Sequence, residues 1–511
     1  MGKALTGFFK SSGGGKNGEK RKERIIAGIV LFIFAFVFSI SSPLHIWIKA
    51  EASTDSSVFK TVALMMENGY MPYRDSFDHK GPLIYLINFL GMKIAEYRGV
   101  WVIELVSLWA TFLGMYKTAR LKCGMVFSWI AVLIAAAPLF EYFQNGNFTE
   151  EYAMPWIAFS LYFFLDYLMN QKVTAVRLVV CGLGFGAVCL LRPNMISVWA
   201  VFCVAVLVYC IRNKDFAEIK RFILYFLAGF CLLVIPVLLW LIMTHSFHDF
   251  LFDYFYFNLQ YTSPEYEGAS FAGKWMSFFT FFQHPVIVFS FLSMLYFWQA
   301  GAQKNERFAA GVYVIYLLVT LWMICLSGMA YGHYGMILVP AAVFPAASLC
   351  GLCSWNLNAN GITLLVLTYW LGAVALPGWL SLVQRLPAVY QIRNESQISG
   401  RVLTICDIIQ SHTSDNDRIS VYGNWDIIYV LSSRMHATRY SYQFPIGEVM
   451  PEIMTEYMEE LRQDMPKILV VQEGHYDERI AGFLNENQYS LLWSENETMG
   501  GPLVYQAADT Q

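Results

Sequence analysis

Side chains that could carry out chemistry are concentrated in one stretch of the sequence, Thr54 to Pro82. This stretch holds four acids, one histidine, three cations and two prolines between two long apolar segments. A carboxylate can accept a proton from a hydroxyl group, and an ammonium group can bind a phosphate. A loop that only joined two apolar helices would have no need of these groups. We therefore predict that this stretch is an active-site loop.

Asp55 is the first candidate catalytic residue in the loop. It lies directly before an amphipathic stretch in which apolar residues recur at helical spacing, from Val58 to Met66. One interpretation is that Asp55 only caps this helix. The other is that it acts as a base, since a carboxylate held at the start of a helix is well oriented to accept a proton. The two roles are compatible.

Lys80 is the candidate phosphate-binding residue. It stands directly before Gly81-Pro82, which open a second apolar helix, and the start of a helix is a favourable place for a phosphate. The alternative is an interfacial lysine that extends its ammonium group to water. From the same loop we predict Asp78 as a further catalytic acid, and Arg74 and His79 as further phosphate-binding residues.

Other ionisable residues lie at the ends of later apolar segments. Glu150 and Glu151 stand just before an apolar helix, and Arg192 and His333 occupy short breaks between apolar runs. If these runs cross a membrane, charges at such depth are costly and are often functional. We predict the two glutamates as catalytic acids, and Arg192 and His333 as phosphate-binding residues. The non-catalytic alternatives are helix capping for the acids and a structural role for the histidine.

The composition identifies the class of protein that carries this loop. Of 511 residues, 57% are hydrophobic and 14% are charged, and the mean hydropathy is +0.45. These values are typical of a polytopic membrane protein rather than a soluble enzyme. The net charge of −3 is too small to indicate a nucleic-acid partner. The cysteines lack the paired spacing of metal ligands, so we predict no metal site.

About eleven membrane spans are predicted, each near the ~20 residues that a bilayer requires. The first covers 25–48 and follows a polar tail at 1–24 that we expect to be disordered and cytoplasmic. It also resembles a signal peptide, but its apolar run exceeds the roughly 7–15 residues of such segments, which favours a retained helix. The other spans lie near 99–116, 124–140, 152–169, 175–191, 194–211, 222–243, 284–299, 308–327, 335–353 and 361–380.

Positive charges assign a side of the cell membrane to each connection. Lysine and arginine are concentrated in four alternate connections, and basic connections are expected in the cytoplasm. This places the N-terminus inside, and places the opening loop 49–98 and the residues beyond 381 outside. The four basic connections lie at 117–122, 172–177, 212–221 and 304–307.

Residues 381–511 have a different pattern. Strand-like segments such as Arg418–Gly423 and Lys467–Gln472 alternate with helix-like segments near 448–463 and 477–486. This alternation predicts a small extracytoplasmic α/β domain. Because the domain lacks a Gly-rich phosphate-binding motif, we assign it no chemistry of its own. The membrane part, 25–380, is then the predicted catalytic domain.

Two further patterns in the sequence imitate functional motifs without adding to the candidate site. Gly182 and Gly186 lie within an apolar helix, where they would allow a second helix to approach closely. Asn147, Asn394 and Asn496 each begin a glycosylation sequon in a segment predicted outside. The sequons matter only in a host that glycosylates them.

The order of these parts resembles the GT-C class of polyprenyl-phosphate-dependent glycosyltransferases, which includes the lipid A aminoarabinose transferase and protein O-mannosyltransferases. The shared parts are a first helix, Asp55 at its outer end, an amphipathic helix, and Pro-Tyr-Arg-Asp followed by His-Lys-Gly-Pro-Leu at 79–83. The family motif reads acid-Lys-Pro-Pro-Leu or His-Pro-Pro-Leu. Here Gly81 replaces the first proline and His79 stands in the acidic place, so metal binding is not carried over.

Later motifs extend the likeness across 25–380. Asn-Phe-Thr-Glu-Glu, Leu-Arg-Pro-Asn and Gly-His-Tyr are similar to motifs of bacterial dolichyl-phosphate-mannose-mannosyltransferase-like proteins. The resemblance implies that Asp55 is the base and that Lys80 holds the donor phosphate. It also implies transfer of a sugar, with inversion, from a polyprenyl phosphate to an extracytoplasmic hydroxyl group of a glycan, lipid or protein. Such chemistry needs no cofactor; a divalent metal is compatible with it but not required.

Two other classes of function stay open at this point. One is a flippase or transporter for a lipid-linked sugar, and the other is a polysaccharide polymerase or ligase. The sequence has no evident internal repeat and its acids are concentrated on one side of the membrane, which disfavours a transporter. The motif at the opening loop favours transfer of a single sugar.

Overall fold

The structure of the protein is a computed structural model in which a helical N-terminal part is followed by a domain of mixed helices and strands. This arrangement confirms the predicted fold class in outline. The structure describes residues 16–40, 42, 45–46, 49–50, 53–171, 173–263, 270–300, 303–355, 365, 367–392, 396–495 and 500–508.

The helices of the first half follow the predicted apolar runs. The first of them begins at Lys16, so that 16–24, predicted as a disordered tail, is helical, whereas 1–15 lies outside the described residues. The helices are α1 (Lys16–Ser39), α2 (Thr54–Glu67), α3 (Pro82–Ala95), α4 (Val100–Ala119), α5 (Met125–Ala135), α6 (Leu139–Tyr142), α7 (Thr149–Asn170), α8 (Ala175–Cys189), α9 (Ser197–Arg212) and α10 (Phe216–Met243).

The second half begins with a broken helical segment, 247–261, and then returns to long helices. Its elements are α11 (Phe247–Phe250), a π-helical turn (Leu251–Tyr256), α12 (Phe257–Tyr261), α13 (Phe271–Phe282), α14 (Pro285–Ala300), α15 (Lys304–Ile324), a 3₁₀ helix (Gly332–Ile337), α16 (Leu338–Trp355), a π-helical turn (Trp370–Ala375) and α17 (Leu376–Ile392).

Among the described residues, five helical stretches are long and apolar enough to cross a membrane, or six if a pair bent by 82° counts as one span. The five are Val100–Ala119, Met125–Tyr142, Phe216–Met243, Lys304–Ile324 and Gly332–Leu352. Each of them coincides with a predicted span. The count of eleven stays a prediction, because other predicted spans correspond to shorter helices and 361–380 is only partly described.

Gly182 and Gly186 of α8 do allow close helix packing. A Cβ atom built on Gly182 would lie 1.9 Å from the carbonyl oxygen of Phe226 on α10, and one built on Gly229 of α10 would lie 2.0 Å from that of Val179. Only glycine permits such backbone approach. The prediction that Gly182 and Gly186 form a packing face is therefore confirmed, since Gly186 also contacts α10 through Val234.

The C-terminal domain is built on a mixed sheet. Five strands of the described chain lie in the order β4-β3-β5-β7-β6, with β3 parallel to β4 and β5, and β7 antiparallel to β5 and β6. The strands are β3 (Arg418–Tyr422), β4 (Met435–His436), β5 (Ile468–Val471), β6 (Ser490–Ser494) and β7 (Leu503–Gln506), and the helices are α18 (Gly400–His412), α19 (Ile427–Ser432), α20 (Phe444–Gly447), α21 (Glu452–Gln463) and α22 (Glu478–Glu486).

A second, two-stranded sheet joins the beginning of the helical part to its end. Strand β1 (Lys49–Ala50), which follows the first helix, pairs in parallel with β2 (Ser396–Gln397), which opens the C-terminal domain. The opening loop and the C-terminal domain are thereby brought to the same end of the helical bundle. This end also holds the charged loop that the sequence singles out.

Candidate active site

A cavity of about 390 Å³ lies at the end of the bundle, between the opening loop and the C-terminal domain. Its volume is within the range of small-molecule sites. The cavity wall includes Asp55, Asp78, His79, Lys80 and His333. The structure thus brings together residues that the sequence places far apart in the chain.

Asp55 presents an unpaired carboxylate to this cavity. The N-cap of α2 is Ser53, whose Oγ accepts a hydrogen bond from the backbone N–H of Ser56 at 3.3 Å. The predicted capping role of Asp55 is therefore wrong. Asp55 lies in the first turn, where the helix dipole favours a negative charge, and its carboxylate makes no hydrogen bond or ion pair with any described residue. It is free to accept a proton from a ligand.

Lys80 is held by its backbone and by its histidine neighbour. Its carbonyl oxygen accepts hydrogen bonds from the hydroxyl groups of Tyr73, at 2.8 Å, and Tyr85, at 3.2 Å. The carbonyl oxygen of His79 accepts a third, from the Asn258 amide at 2.7 Å. With the backbone fixed in this way, the Lys80 side chain extends along the cavity wall.

His79 is a neutral partner of Lys80 rather than a second cation. The Lys80 ammonium lies 2.6 Å from His79 Nε2, and because an ammonium group can only donate, Nε2 must accept. Burial and the nearby charges of Lys80 and Arg192 hold the pKa of His79 well below its usual range. His79 therefore orients the ammonium group, and its predicted phosphate-binding role stays a prediction.

Asp78 lines the cavity, but its carboxylate is fully engaged. Oδ1 accepts hydrogen bonds from the His79 N–H at 2.8 Å and from Tyr442 at 3.0 Å, and Oδ2 accepts one from Tyr85 at 2.9 Å. Burial raises the pKa of Asp78, while the charge of Lys80 opposes that shift. Three donors on a carboxylate that is 3% exposed indicate a residue that holds the loop in place, not the free base that the sequence suggests.

The connection between α8 and α9 accepts the hydrogen bonds of the first N–H groups of α3. The N–H groups of Gly81 and Leu83 donate to the carbonyl oxygens of Leu191, at 3.0 Å, and Leu190, at 3.2 Å. These two N–H groups are therefore not available to a ligand. Binding of a phosphate at this helix start then depends on the Lys80 side chain, and it stays a prediction.

The same contact explains why glycine replaces the first proline of the family motif. A Cβ atom on Gly81 would lie 2.1 Å from the Leu190 carbonyl oxygen and 2.9 Å from that of Leu191. Both neighbours are backbone atoms, which cannot rotate away. A proline would also lack the N–H that donates to Leu191.

Gly81→Ala is expected to destabilise the protein by ~1–3 kcal/mol, as overpacking of a tight contact does. Thermal unfolding in detergent measures this effect. Gly482→Ala is the matched control, because nothing lies within 4 Å of a Cβ at that position on α22. Equal melting temperatures for the two variants would contradict the close approach at Gly81.

His333 is placed by aromatic stacking and by one amide. Its ring stacks on Phe148 at a centroid distance of 4.1 Å and on Tyr331 at 5.8 Å. Gln144 Oε1 accepts from the His333 backbone N–H at 3.2 Å and lies 3.0 Å from the ring Nδ1. Because Oε1 is an acceptor, Nδ1 carries a proton, and Nε2 is the ring atom left for a ligand.

Arg192 and Glu150 pair with each other and do not line the cavity. Their side chains form an ion pair at 2.7 Å, in which both are largely buried. The Arg192 guanidinium lies 4.1 Å from the centre of the Tyr334 ring, and Tyr334 does line the cavity. This pair contacts the aromatic wall of the site through Tyr334, and the predicted roles of Glu150 in catalysis and of Arg192 in phosphate binding stay predictions.

Glu151 and Arg74 also lie outside the cavity wall. Glu151 is fully buried and accepts a hydrogen bond from the Asn147 N–H at 2.8 Å. Arg74 is partly exposed, and pairs with Asp75 at 2.6 Å and with the Thr244 carbonyl oxygen at 2.9 Å. Neither residue is part of the cavity wall, and their predicted roles as catalytic acid and phosphate ligand stay predictions.

Asn147, the first residue of a predicted glycosylation sequon, is part of the core. Its side chain is fully buried and donates to Ser56 Oγ at 2.7 Å and to Asn88 Oδ1 at 2.9 Å. A glycan cannot be attached there in the folded protein. The sequons at Asn394 and Asn496 lie outside the described residues.

The C-terminal domain supplies part of the wall, which sequence reasoning missed. Asn424, Tyr442, Pro445 and Ile446 line the cavity. The domain thus contributes to the cavity wall, although the sequence assigns it no chemistry of its own. No motif marks these residues, and a tyrosine in a chain with 30 tyrosines carries no distinguishing signal.

Among the described residues, no group of three or more His, Cys, Asp and Glu side chains has a geometry that could hold a metal ion. The ionisable groups around the cavity are instead paired with tyrosines, amides and each other. The arrangement offers one unpaired carboxylate and one ammonium group on a single cavity. Proton acceptance and anion binding are the chemistry that these two groups allow.

Solved structures of two other membrane proteins are similar to this chain. ArnT from Cupriavidus metallidurans, bound to undecaprenyl phosphate, has a TM-score of 0.60 and 14% identity, over 95% of this chain and 98% of that chain. The oligosaccharyltransferase of Archaeoglobus fulgidus, in complex with Zn and sulfate, has a TM-score of 0.53 and 12% identity, over 93% of this chain and 73% of that chain. The likeness confirms the predicted GT-C-like fold.

The sequence itself also matches a family. No curated protein matches the chain. Residues 17–349, however, match the model described as "Putative competence-induced protein Ccs4 N-terminal domain". Since this match covers more than half of the 511 residues, the chain belongs to the competence-induced Ccs4 N-terminal domain family.

Proposed function

We propose that the protein is an integral membrane glycosyltransferase that moves a sugar from a polyprenyl phosphate to an extracytoplasmic hydroxyl group. The observation that carries the proposal is the pairing, on one cavity, of the unpaired Asp55 carboxylate with the Lys80 ammonium group. The fold supports it, because the similar ArnT structure holds undecaprenyl phosphate. Family membership is compatible with it.

Lys80 binds the donor phosphate in this proposal. Among the described residues its ammonium group contacts one acceptor, His79 Nε2, so two of its N–H donors remain for a ligand. A positive charge at this point stabilises the phosphate as it leaves. His333, on the opposite side of the loop, can add a hydrogen bond from Nε2 when protonated.

Asp55 acts as the general base. The oxygen of the acceptor hydroxyl group forms a bond to the anomeric carbon, while the bond from that carbon to the phosphate oxygen breaks. The phosphate leaves with the electron pair, and the hydroxyl proton passes to the Asp55 carboxylate. Attack from the face opposite the phosphate inverts the anomeric carbon. The reaction thus needs one base for the acceptor hydroxyl group and one cation for the leaving phosphate, and it needs no cofactor.

A product assay tests the proposal directly. Purified protein is incubated with a panel of polyprenyl-phosphate sugars and with lipid, glycan and peptide acceptors, and the products are analysed by mass spectrometry. We expect the acceptor to gain the mass of one sugar residue as free polyprenyl phosphate is released. Movement of a labelled lipid-linked sugar across a vesicle without product would favour a flippase, and addition of a long glycan would favour a polymerase or ligase.

The proposed site faces outward across a cell membrane. The four basic connections support a cytoplasmic N-terminus and an extracytoplasmic C-terminal domain. We expect a membrane-impermeant thiol reagent to label Asp415→Cys, at a side chain that is 95% exposed, in intact cells. Asn213→Cys, in an exposed cytoplasmic connection, should react only after lysis. Labelling of both from outside would refute this topology.

A further inference from the structure

The C-terminal domain contacts the predicted active-site loop through one short segment, Arg439 to Tyr442. The backbone N–H of Phe77 donates to the Arg439 carbonyl oxygen at 2.8 Å, and Arg439 Nε donates to the Tyr73 carbonyl oxygen at 2.8 Å. The Tyr442 hydroxyl group donates to Asp78 at 3.0 Å. Three hydrogen bonds therefore join this segment to three loop residues, Tyr73, Phe77 and Asp78.

Apolar packing also joins the loop to the C-terminal domain. Phe77 is fully buried, with its ring 5.4 Å from those of both Tyr440 and Phe257. It belongs to the hydrophobic cluster that contains Tyr422 of the sheet, not to the cluster of the membrane helices. Through Phe77, the loop that carries Lys80 packs on the C-terminal domain.

Arg439 also contacts the broken helical segment 247–261. Its Nη2 atom donates to both carboxylate oxygens of the fully buried Asp253, at 2.8 and 2.7 Å. Five residues after Asp253, Asn258 donates to the carbonyl oxygen of His79. The domain, the broken helix and the loop are one connected unit.

We propose that Tyr442 is a positioning residue, which acts through Asp78 and His79 to aim the Lys80 ammonium group at the donor phosphate. This inference rests on the proposed function and names a role for the C-terminal domain in it. The oxygen of Asp78 that accepts from Tyr442 also accepts the His79 N–H, and His79 in turn accepts from Lys80. The phosphate-binding end of the site is therefore incomplete without the C-terminal domain.

Tyr442→Phe in the full-length chain tests this role, because it removes one hydroxyl group and keeps the ring. A hydrogen bond to a charged group is lost, so we expect kcat/KM for the donor to fall about tenfold. Tyr457→Phe is the matched control, since this buried hydroxyl group of the same domain bonds to Ser420 at 2.9 Å, away from the loop. The control should keep nearly wild-type activity.

A double variant separates positioning from general stability. If Tyr442 acts through Lys80, Tyr442→Phe should have less than about a twofold further effect in a Lys80→Ala background, because coupled residues are not additive. A purely structural role would lower the activity of both backgrounds equally. Additive losses, or equal losses in Tyr442→Phe and Tyr457→Phe, would overturn the proposal.

Hydrogen exchange gives a readout that does not depend on the reaction. We expect peptides that cover 71–83 to exchange faster in Tyr442→Phe than in the wild type or in Tyr457→Phe. If the wild-type protein transfers no sugar, the proposed function fails, and this measurement still tests the contact. Unchanged exchange, or faster exchange with an unchanged donor kcat/KM, would overturn the positioning role.

Discussion

Asp55→Asn is expected to abolish sugar transfer while the protein stays folded and still binds its donor. The amide has the shape of the carboxylate but cannot take up a proton, and removal of a general base typically costs about 10²–10⁴-fold in rate. The Asp55 carboxylate has no partner among the described residues, and Ser53 caps the helix, so the substitution removes no internal contact. The lost helix-dipole interaction costs only ~0.3–1 kcal/mol.

The transfer rate of purified protein, at saturating donor, measures this effect. Glu67→Gln is the matched control, because Glu67 lies at the other end of the same helix, pairs with Lys93 at 2.9 Å and does not line the cavity. It should retain nearly wild-type turnover. A well-folded Asp55→Asn protein that turns over at the wild-type rate would contradict the base assignment, and Asp78, the other acid on the cavity wall, would be tested next.

The parts of the site that the sequence predicts well are those encoded locally. Asp55 is followed by a helical apolar pattern, and the helix forms at Thr54–Glu67. Lys80 stands before Gly81-Pro82, and α3 begins at Pro82 because proline fits the first turn of a helix. Each prediction needed only a few neighbouring residues, which is why the starts of both helices could be predicted.

Residue type alone could not tell which ionisable groups are available to a ligand. Arg192 and Glu150, 42 positions apart, neutralise each other behind Tyr334. By residue type His79 can carry a positive charge, yet its pKa is lowered by burial and by the adjacent Lys80. Availability depends on pairing in three dimensions, which no single-sequence pattern records.

The contribution of the C-terminal domain to the site was the hardest feature to predict from the sequence. Tyr442 and Asp78 are separated by 364 positions, and the hydrogen bond between them exists only because the domain folds back onto the loop. The strands and helices of that domain could be predicted from alternating apolar patterns. Its docking could not, because the docking surface is made of scattered aromatic residues such as Phe77 and Tyr440.

Lys80→Ala is expected to weaken binding of the polyprenyl-phosphate donor more than it slows the chemical step that follows. A charge-assisted contact between an ammonium group and a phosphate contributes roughly 1.5–3 kcal/mol, which corresponds to an increase of about 10- to 150-fold in Kd. Lys80→Arg should retain part of the affinity, because it keeps the charge but not the geometry that His79 accepts. Lys93→Ala, which removes an exposed lysine from the following helix, should leave the Kd unchanged. Titration with undecaprenyl phosphate measures all three variants, and unchanged affinity in Lys80→Ala would mean that Lys80 is an interfacial lysine with no part in donor binding.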